Sequence, residues 1–476
     1  MPNENGKLAK VNYWKLLIPF AVGMGIWFFP FRPEGISVEA WQMFAIFIGT
    51  IIGCIIQVMP IGAVSLVGLT VLLLTEVVDI GTALSGFNST TVWLVVMAFF
   101  LSRGFIKTGL GNRIAYVFVR MFGKRTLGLA YALIGTDLII APATPSSTAR
   151  AGGILYPIVR SLAEAFDSRP EDGTQNKIGS YLIFSTFHGN LITSTMFLTA
   201  VASNPLAQEM AASAGVEISW FGYLLAALVP GVISLIAIPY LIYKINPPEI
   251  KETPDAPKWA EGQLEKMGPM ASAEKWMLVV FAGALILWMT SQLTGLSATV
   301  TGFLALALLL IVGVLNWDDI KKETGAWDTF IWFSVLVMMA TQLNELGFIP
   351  WLSQVIAGSV AGFPWPVIMV ILFLAYHYLH YLFASQTAHV SAIYPAFLGV
   401  AVAAGVPPTL AAVLLIFASG TMVSTTHYAN GPAPVLFGSG YLSQNEWWKY
   451  NAILAIPYFV IWLGIGWAWL YIIGMV

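Results

Sequence analysis

Two short polar runs lie about 239 residues apart in an otherwise apolar chain, matching positions of the kind that mark binding sites in internally repeated transporters. They are Ser146-Ser147-Thr148-Ala149-Arg150 and Ser385-Gln386-Thr387-Ala388-His389. Each leads into an apolar segment with a Tyr-Pro pair, Tyr156-Pro157 and Tyr394-Pro395. The chemistry open to such runs is anion binding without a fixed charge. Ser and Thr hydroxyls and the Gln386 amide are donors. Where a run of this kind starts a helix, free backbone N–H groups and the helix dipole add to the attraction for negative charge. Two such tips could each hold one carboxylate, so the natural ligand is a small dianion with two of them. Ser and Thr in membrane helices often bond their own backbone instead, but the repetition of both runs argues for a site.

Arg150 and His389 stand two residues past each Thr, in equivalent places. Ionisable groups within a membrane are costly and mark function by default. The expectation is that these two compensate part of the ligand's charge, against a structural pairing of Arg150 with Asp137 and a neutral, hydrogen-bonded His389. Two further polar runs follow, Thr193-Ser194-Thr195 with Asn204-Pro205, and Ser424-Thr425-Thr426-His427 with Asn430-Gly431-Pro432. They read as helices that unwind at mid-membrane and present Thr195 and Thr425 to the ligand, against the alternative of simple proline kinks. His188, His377, His380 and His427 are spread over several segments without a Cys or carboxylate complement. No metal site is expected, and no cofactor.

These residues need elements to hold them. Of 476 residues, 58% are hydrophobic and 10% charged, against roughly 25% charged in soluble domains. The chain therefore reads as an all-α integral membrane protein embedded in a lipid bilayer, with about eleven spans. Barrel-like alternation is absent. A net charge of −2 offers nothing to nucleic acid. The lone Cys54 excludes a disulfide framework. Trp447-Trp448 and Trp467/Trp469 read as interface anchors.

Spans are expected near 15–31, 39–58, 60–78, 90–105, 178–203, 222–243, 275–293, 297–315, 329–345, 408–435 and 449–475. Segments 126–166 and 365–404, with the polar runs at their middles, read as re-entrant helical hairpins, which must be buried in protein or line a wet cavity. Lys7, Lys10 and Lys15 before the first span place the N-terminus in the cytoplasm. Residues 103–125 carry six cations and no acid, whereas the matching stretch 347–366 is uncharged. By the positive-inside rule these lie on opposite sides, so the repeats are inverted and the C-terminus is outside.

The paired runs at hairpin tips are similar to those of the divalent anion/sodium symporter family, the INDY-like dicarboxylate carriers. Sodium-coupled members carry Ser-Asn-Thr at both tips. Here Ser147 and Gln386 replace the asparagines, and Ser-Ser-Thr-Ala-Arg-Ala-Gly-Gly at 146–153 with Tyr-Leu-Phe-Ala-Ser-Gln-Thr at 381–387 most resembles the branch of plastid 2-oxoglutarate/malate translocators and bacterial exchangers. The resemblance implies a homodimeric elevator transporter in the plasma membrane of a bacterium. Its substrates would be 2-oxoglutarate, malate, fumarate or succinate, bound by Ser146, Ser147, Thr148, Ser385, Gln386 and Thr387. Residues 1–125 and 275–364 would form scaffold and arms, 126–243 and 365–476 the transport parts, and 244–274 the cytoplasmic linker. With the asparagines gone, Arg150 and His389 would offset substrate charge in place of sodium, giving obligate exchange because an empty carrier with an uncompensated cation crosses poorly. A sodium- or proton-coupled symporter is the runner-up. An intramembrane enzyme lacks a supporting motif, and a channel suits hairpins sealing from both sides less well.

Overall fold

A computed structural model describes residues 13–360 and 362–476. Lys7 and Lys10 lie outside the described residues. Among these residues eight helices are long and apolar enough to cross a membrane, and four shorter apolar helices accompany them, Trp14–Trp27, Ile61–Thr75, Ala298–Ile311 and Pro408–Ser424. Each expected span falls on a helix. The expected span 178–203 falls on a helix outside those twelve, Gly179–Met196, which is rich in Ser and Thr, with Asn190 and His188, yet every residue of it is buried. Such a helix is shielded from lipid on all sides, which is how a polar segment is tolerated at membrane depth.

Both hairpins are present. The first runs out along Thr126–Ile140, tightens into a 3-10 turn at Ala141–Ala143 and returns through Ala149–Leu155 and Tyr156–Ala165. The second runs out along Trp365–Leu379, turns at His380–Leu382 and returns along Gln386–Ala403. Pro142 and Pro145 lie at the first turn, where they cost no helical hydrogen bond. The return leg of the first hairpin opens as a wide π-helical stretch around Arg150, a distortion that often accompanies function. That of the second is regular α-helix despite Pro395.

After each hairpin comes a helix broken near its middle. Gly179–Met196 is followed by a 3-10 turn at Leu198–Ala200 and a new helix, Ser203–Ser213. Pro408–Thr421 is followed by Met422–Ser424 and then Pro432–Phe437. The unwinding expected at the two polar runs is thus observed.

The packing has the reciprocity of a pseudo-two-fold axis. Helix Ile61–Thr75 packs on Thr324–Glu345, and Ala298–Ile311 packs on Thr90–Thr108. Helix Ser203–Ser213 lies on the second hairpin's return leg, while Pro432–Phe437 lies on the first's. The equivalent helices Thr90–Thr108 and Thr324–Glu345 run antiparallel to each other, with Trp93 against Phe330 and Phe100 against Trp327. Equivalent elements pointing in opposite directions are what inverted repeats require.

The linker lies on the face that carries the basic arm. Its helix Ala256–Met267 packs on the arm helix Leu110–Phe122. Arg113 pairs with Glu274 at 2.6 Å and donates to the Gly268 carbonyl at 3.0 Å. The linker backbone also pairs with the base of the first hairpin through Thr126 N–H to Lys251 O and Thr253 N–H to Lys124 O. Lys107 bonds Asp319 at 2.5 Å. Burial pushes the Asp319 carboxyl up, but Lys107 and the Asn316 N–H outweigh it and hold it below the usual carboxylate range.

The Trp residues correct one expectation. Trp447 is fully buried between Phe184, Phe187 and Phe437. It is a core residue, not an interface anchor, because its helix places it against the polar, shielded segment Gly179–Met196.

Candidate substrate site at the hairpin tips

The two tips are built alike from the backbone up. Ser146 Oγ accepts the Ala149 N–H at 3.1 Å and its carbonyl accepts the Arg150 N–H at 3.1 Å. Ser385 Oγ accepts the Ala388 N–H at 3.3 Å and its carbonyl accepts the His389 N–H at 3.1 Å. Each serine is therefore an N-cap. Each accepts an N–H of its own helix, and its O–H is donated to no partner among the described residues. The N–H groups of Ser147, Thr148, Gln386 and Thr387 precede the first intrahelical acceptors and point off the helix start. The hydroxyls of Ser147, Thr148 and Thr387 take no partner among the described residues. Ser146→Ala and Ser385→Ala should each cost about 0.5–2 kcal/mol of stability and weaken ligand binding at one tip; calorimetric melting with and without ligand reads both effects.

The tips rest on the broken helices. Thr148 packs against Gly431, where an added methyl would come within 2.0 Å of Thr148 Oγ1. Gln386 Nε2 donates to the Ser419 carbonyl at 2.9 Å. Thr195 packs against Gly420, one residue on, where a methyl would meet Thr195 Oγ1 at 2.1 Å. That contact joins the two broken helices at corresponding points near their ends, as residues on a two-fold axis should be.

Several carbonyls at each break are met by specific donors. At the first break, Asn204 Nδ2 donates to Ser194 O at 2.7 Å and Phe197 O at 3.0 Å, Tyr223 donates to Thr195 O at 2.7 Å, and Arg150 takes Ala200 O at 2.6 Å. At the second, Ser424 takes Thr421 O at 2.8 Å, Thr425 takes Met422 O at 2.9 Å and His380 Nε2 lies 2.9 Å from Ala429 O.

The structure revises the reading of Arg150 as a free counter-charge. The side chain is fully buried. Its Nε is 3.0 Å from Asp137 Oδ1, one terminal nitrogen donates to both Thr144 O and Ala200 O, and the other donates to Ser194 Oγ at 2.6 Å. Asp137 also accepts from Asn190 at 3.1 Å and from Thr193. The positive charge is met by a carboxylate, so Arg150 is not an uncompensated cation. Arg150 instead ties the outgoing leg, the tip loop and the broken helix into one body.

His389 differs in kind. It is buried, its Nδ1 lies 3.3 Å from His380 Nδ1, and its ring meets Tyr376 edge-on at 4.5 Å between centroids. His380 Nε2 faces a carbonyl and so carries the proton. With both rings neutral its Nδ1 accepts, which puts the His389 proton on Nδ1 and leaves Nε2 without a partner among the described residues. No carboxylate contacts the pair among the described residues. A neutral imidazole is the form this geometry holds, contrary to a charged His389.

Tyr376 occupies the place in the second hairpin that Asp137 has in the first, and bonds Ser419 Oγ at 2.9 Å as Arg150 bonds Ser194. The polar clamp is ionic in one repeat and neutral in the other. Sequence reasoning did not select Asn190, Tyr376 or Ser419. Tyr376 had a signal, since it stands 239 residues after Asp137, the spacing of the two tips; Ser419 lies 225 residues after Ser194, off that spacing, and Asn190 has no polar counterpart at it.

Thr195 and Thr425 are also corrected. Thr195 donates to Leu191 O at 2.8 Å and is fully buried, and Thr425 donates to Met422 O. Their hydroxyl protons are spent on their own helices, so they shape the break rather than offer donors to a ligand. His188 bonds Tyr458 at 2.9 Å and His427 accepts from Trp448 at 3.0 Å, both structural roles. Among the described residues no group of three or more potential metal ligands occurs.

Inverted repeats, paired hairpins and broken helices around a buried polar centre define a secondary membrane transporter. The chain belongs to the sodium:sulfate symporter family, whose transmembrane region it matches over residues 10–476. It is 53% identical over 99% of both chains to YflS of Bacillus subtilis (strain 168), provisionally named a malate transporter. It is 45% identical to the chloroplastic dicarboxylate transporter 1 of Spinacia oleracea, over 98% of this chain and 84% of that one. It is 36% identical to the L-tartrate/succinate antiporter of Escherichia coli O6:K15:H31, over 96% and 98%. Among solved structures, the Alcanivorax borkumensis YdaH transporter shares the fold with a TM-score of 0.51 at 13% identity, over 86% and 89% of the two chains. The resemblance to plastid and bacterial dicarboxylate carriers is borne out, and the chain is a multi-pass membrane transporter rather than an enzyme.

Proposed function

We propose that the protein exchanges C4 and C5 dicarboxylates such as malate, succinate, fumarate and 2-oxoglutarate across the plasma membrane, one carboxylate at each hairpin tip, without sodium coupling. The names of the relatives supply the substrate class. The observation that carries the coupling is the Arg150 guanidinium, bridging a tip carbonyl and a break carbonyl. Unwound carbonyls of this kind are where transporters of inverted-repeat design hold sodium. A fixed side chain there does a cation's structural work and does not leave with the cargo.

Exchange follows from the tips. Without an anion, two helix N-termini with unpaired N–H groups must be carried through a low-dielectric environment, which is unfavourable. The loaded carrier crosses; the empty one lags. Residues 126–243 and 365–476 form the moving transport part of an elevator, 1–125 and 275–364 the scaffold of a homodimer, with the N-terminus and the 244–274 linker cytoplasmic and the C-terminus outside. Proteoliposomes preloaded with dicarboxylate should take up labelled malate whether or not sodium is present. Uptake into empty vesicles driven by a sodium gradient would establish symport instead, the reading the family's description favours.

A further inference from the structure

Gln386 and Ser147 hold equivalent places at the two tips but leave different chemistry open. The Gln386 amide nitrogen donates to the Ser419 carbonyl at 2.9 Å. A carbonyl only accepts, so this contact fixes which way the amide faces. Oε1 points away from Ser419 and takes no hydrogen bond from the described residues. The residue is 7% exposed, as is Ser147. Ser147 can rotate its hydroxyl to donate, whereas Gln386 presents a pinned acceptor.

That acceptor belongs to a tip whose other free polar groups are donors. The Ser385 and Thr387 hydroxyls and the first N–H groups of the return leg surround the same tip, and together they suit a carboxylate. Oε1 adds nothing to a carboxylate, whose lone pairs it opposes. A methylene gives it no partner, and a keto oxygen repels it. A hydroxyl on the carbon next to the carboxylate would donate to it while the carboxylate takes the donors. At the first tip Ser147 presents a rotatable hydroxyl in place of that pinned amide oxygen and suits a plain carboxylate end.

We propose that Gln386 makes the second tip a subsite for the 2-hydroxycarboxylate end of the substrate, so that the carrier prefers 2-hydroxy dicarboxylates to their unsubstituted counterparts. The inference rests on the dicarboxylate reading above. It assigns an orientation as well: the hydroxyl-bearing end lies at Gln386 and the plain end at Ser147.

The test is competition for labelled malate uptake by full-length protein in malate-loaded liposomes, with malate, succinate and 2-fluorosuccinate as external competitors. Fluorine replaces the hydroxyl without a donor. For the native protein malate should compete about ten-fold better than either, the worth of one well-placed hydrogen bond. Gln386→Met keeps the volume and removes the acceptor, so it should raise the malate half-inhibitory concentration toward the succinate value. Ser147→Ala should weaken malate and succinate by the same factor. Equal competition by malate and 2-fluorosuccinate in the native protein overturns the inference, and needs no variant to fold. An undiminished malate preference in Gln386→Met also overturns it. If no dicarboxylate competes or exchanges, the functional reading itself fails, a distinct outcome.

Discussion

Arg150→Ala is expected to abolish exchange and to lower stability by about 3–5 kcal/mol, the cost of leaving one member of a buried ion pair alone. The substitution strands the Asp137 carboxylate, fully buried, with the Asn190 and Thr193 donors alone among the described residues. It also takes donors from Thr144 O, Ala200 O and Ser194 Oγ at the meeting of the tip loop and the first break. Arg150→Lys should recover little, since one ammonium cannot reproduce a planar fork that reaches a carboxylate, two carbonyls and a hydroxyl. The double variant Arg150→Met with Asp137→Leu separates two roles. Removing both charges together is often near neutral for stability, so its melting temperature should return toward the native value. Its tip and break carbonyls remain unbridged, and exchange should stay impaired. Melting in detergent followed by counterflow in liposomes measures both. A double variant that exchanges at the native rate would show that the bridge is dispensable and that only the charge pair mattered.

Much of this architecture was legible in the sequence because the forces that set it are local. A run of apolar residues long enough to cross hydrocarbon has few alternatives to a helix. The hairpin turns were marked by Pro142 and Pro145 and by the capping serines, and the breaks by Asn204-Pro205 and Asn430-Gly431-Pro432. Partners across segments were less legible. That Thr195 and Thr425 turn their hydroxyls onto their own helices follows from rotamers fixed by packing, Thr195 against Gly420 in particular. Asp137 was visible as a mate for Arg150 because both lie near one tip. The pairing of His389 with His380 and of that with Ala429 O depends on where an unwound carbonyl happens to point, which no spacing rule encodes. The same holds for Trp447. Its sequence neighbourhood looks like a membrane boundary, and only the burial of the polar helix Gly179–Met196 explains its place in the core.

Gly420→Ala should reduce substrate affinity and exchange sharply while the chain still reaches the membrane. The new methyl would stand 2.1 Å from Thr195 Oγ1, 2.5 Å from its Cγ2 and 2.8 Å from its Cβ. The last of these is anchored to the helix, so a rotamer change cannot relieve the clash and the two broken helices must separate. Overpacking of this sort costs about 1–3 kcal/mol. At this position the cost falls on the geometry of the site, because Ser419, which holds Gln386, precedes Gly420, and the Tyr223 bond to Thr195 O fixes the other side. If the loaded state bears about 1.4 kcal/mol of it, affinity drops about ten-fold. Thr195→Gly in the Gly420→Ala background removes the opposing side chain and should restore most of the loss, at the expense of the intrinsic penalty for glycine in a helix, about 1 kcal/mol. Gly431→Ala tests the equivalent closeness at the first tip, where the methyl would meet Thr148 Oγ1 at 2.0 Å. Gly431 is exposed, and of Thr148 only Oγ1 would come so close, with Cβ at 3.2 Å and Cγ2 at 3.5 Å, so rotation of the hydroxyl relieves most of the clash. That variant should keep its stability and lose affinity alone. A Gly420→Ala protein with native affinity, measured by substrate-induced thermal shift, would mean that the two broken helices are free to part without consequence, and that the site does not depend on their contact.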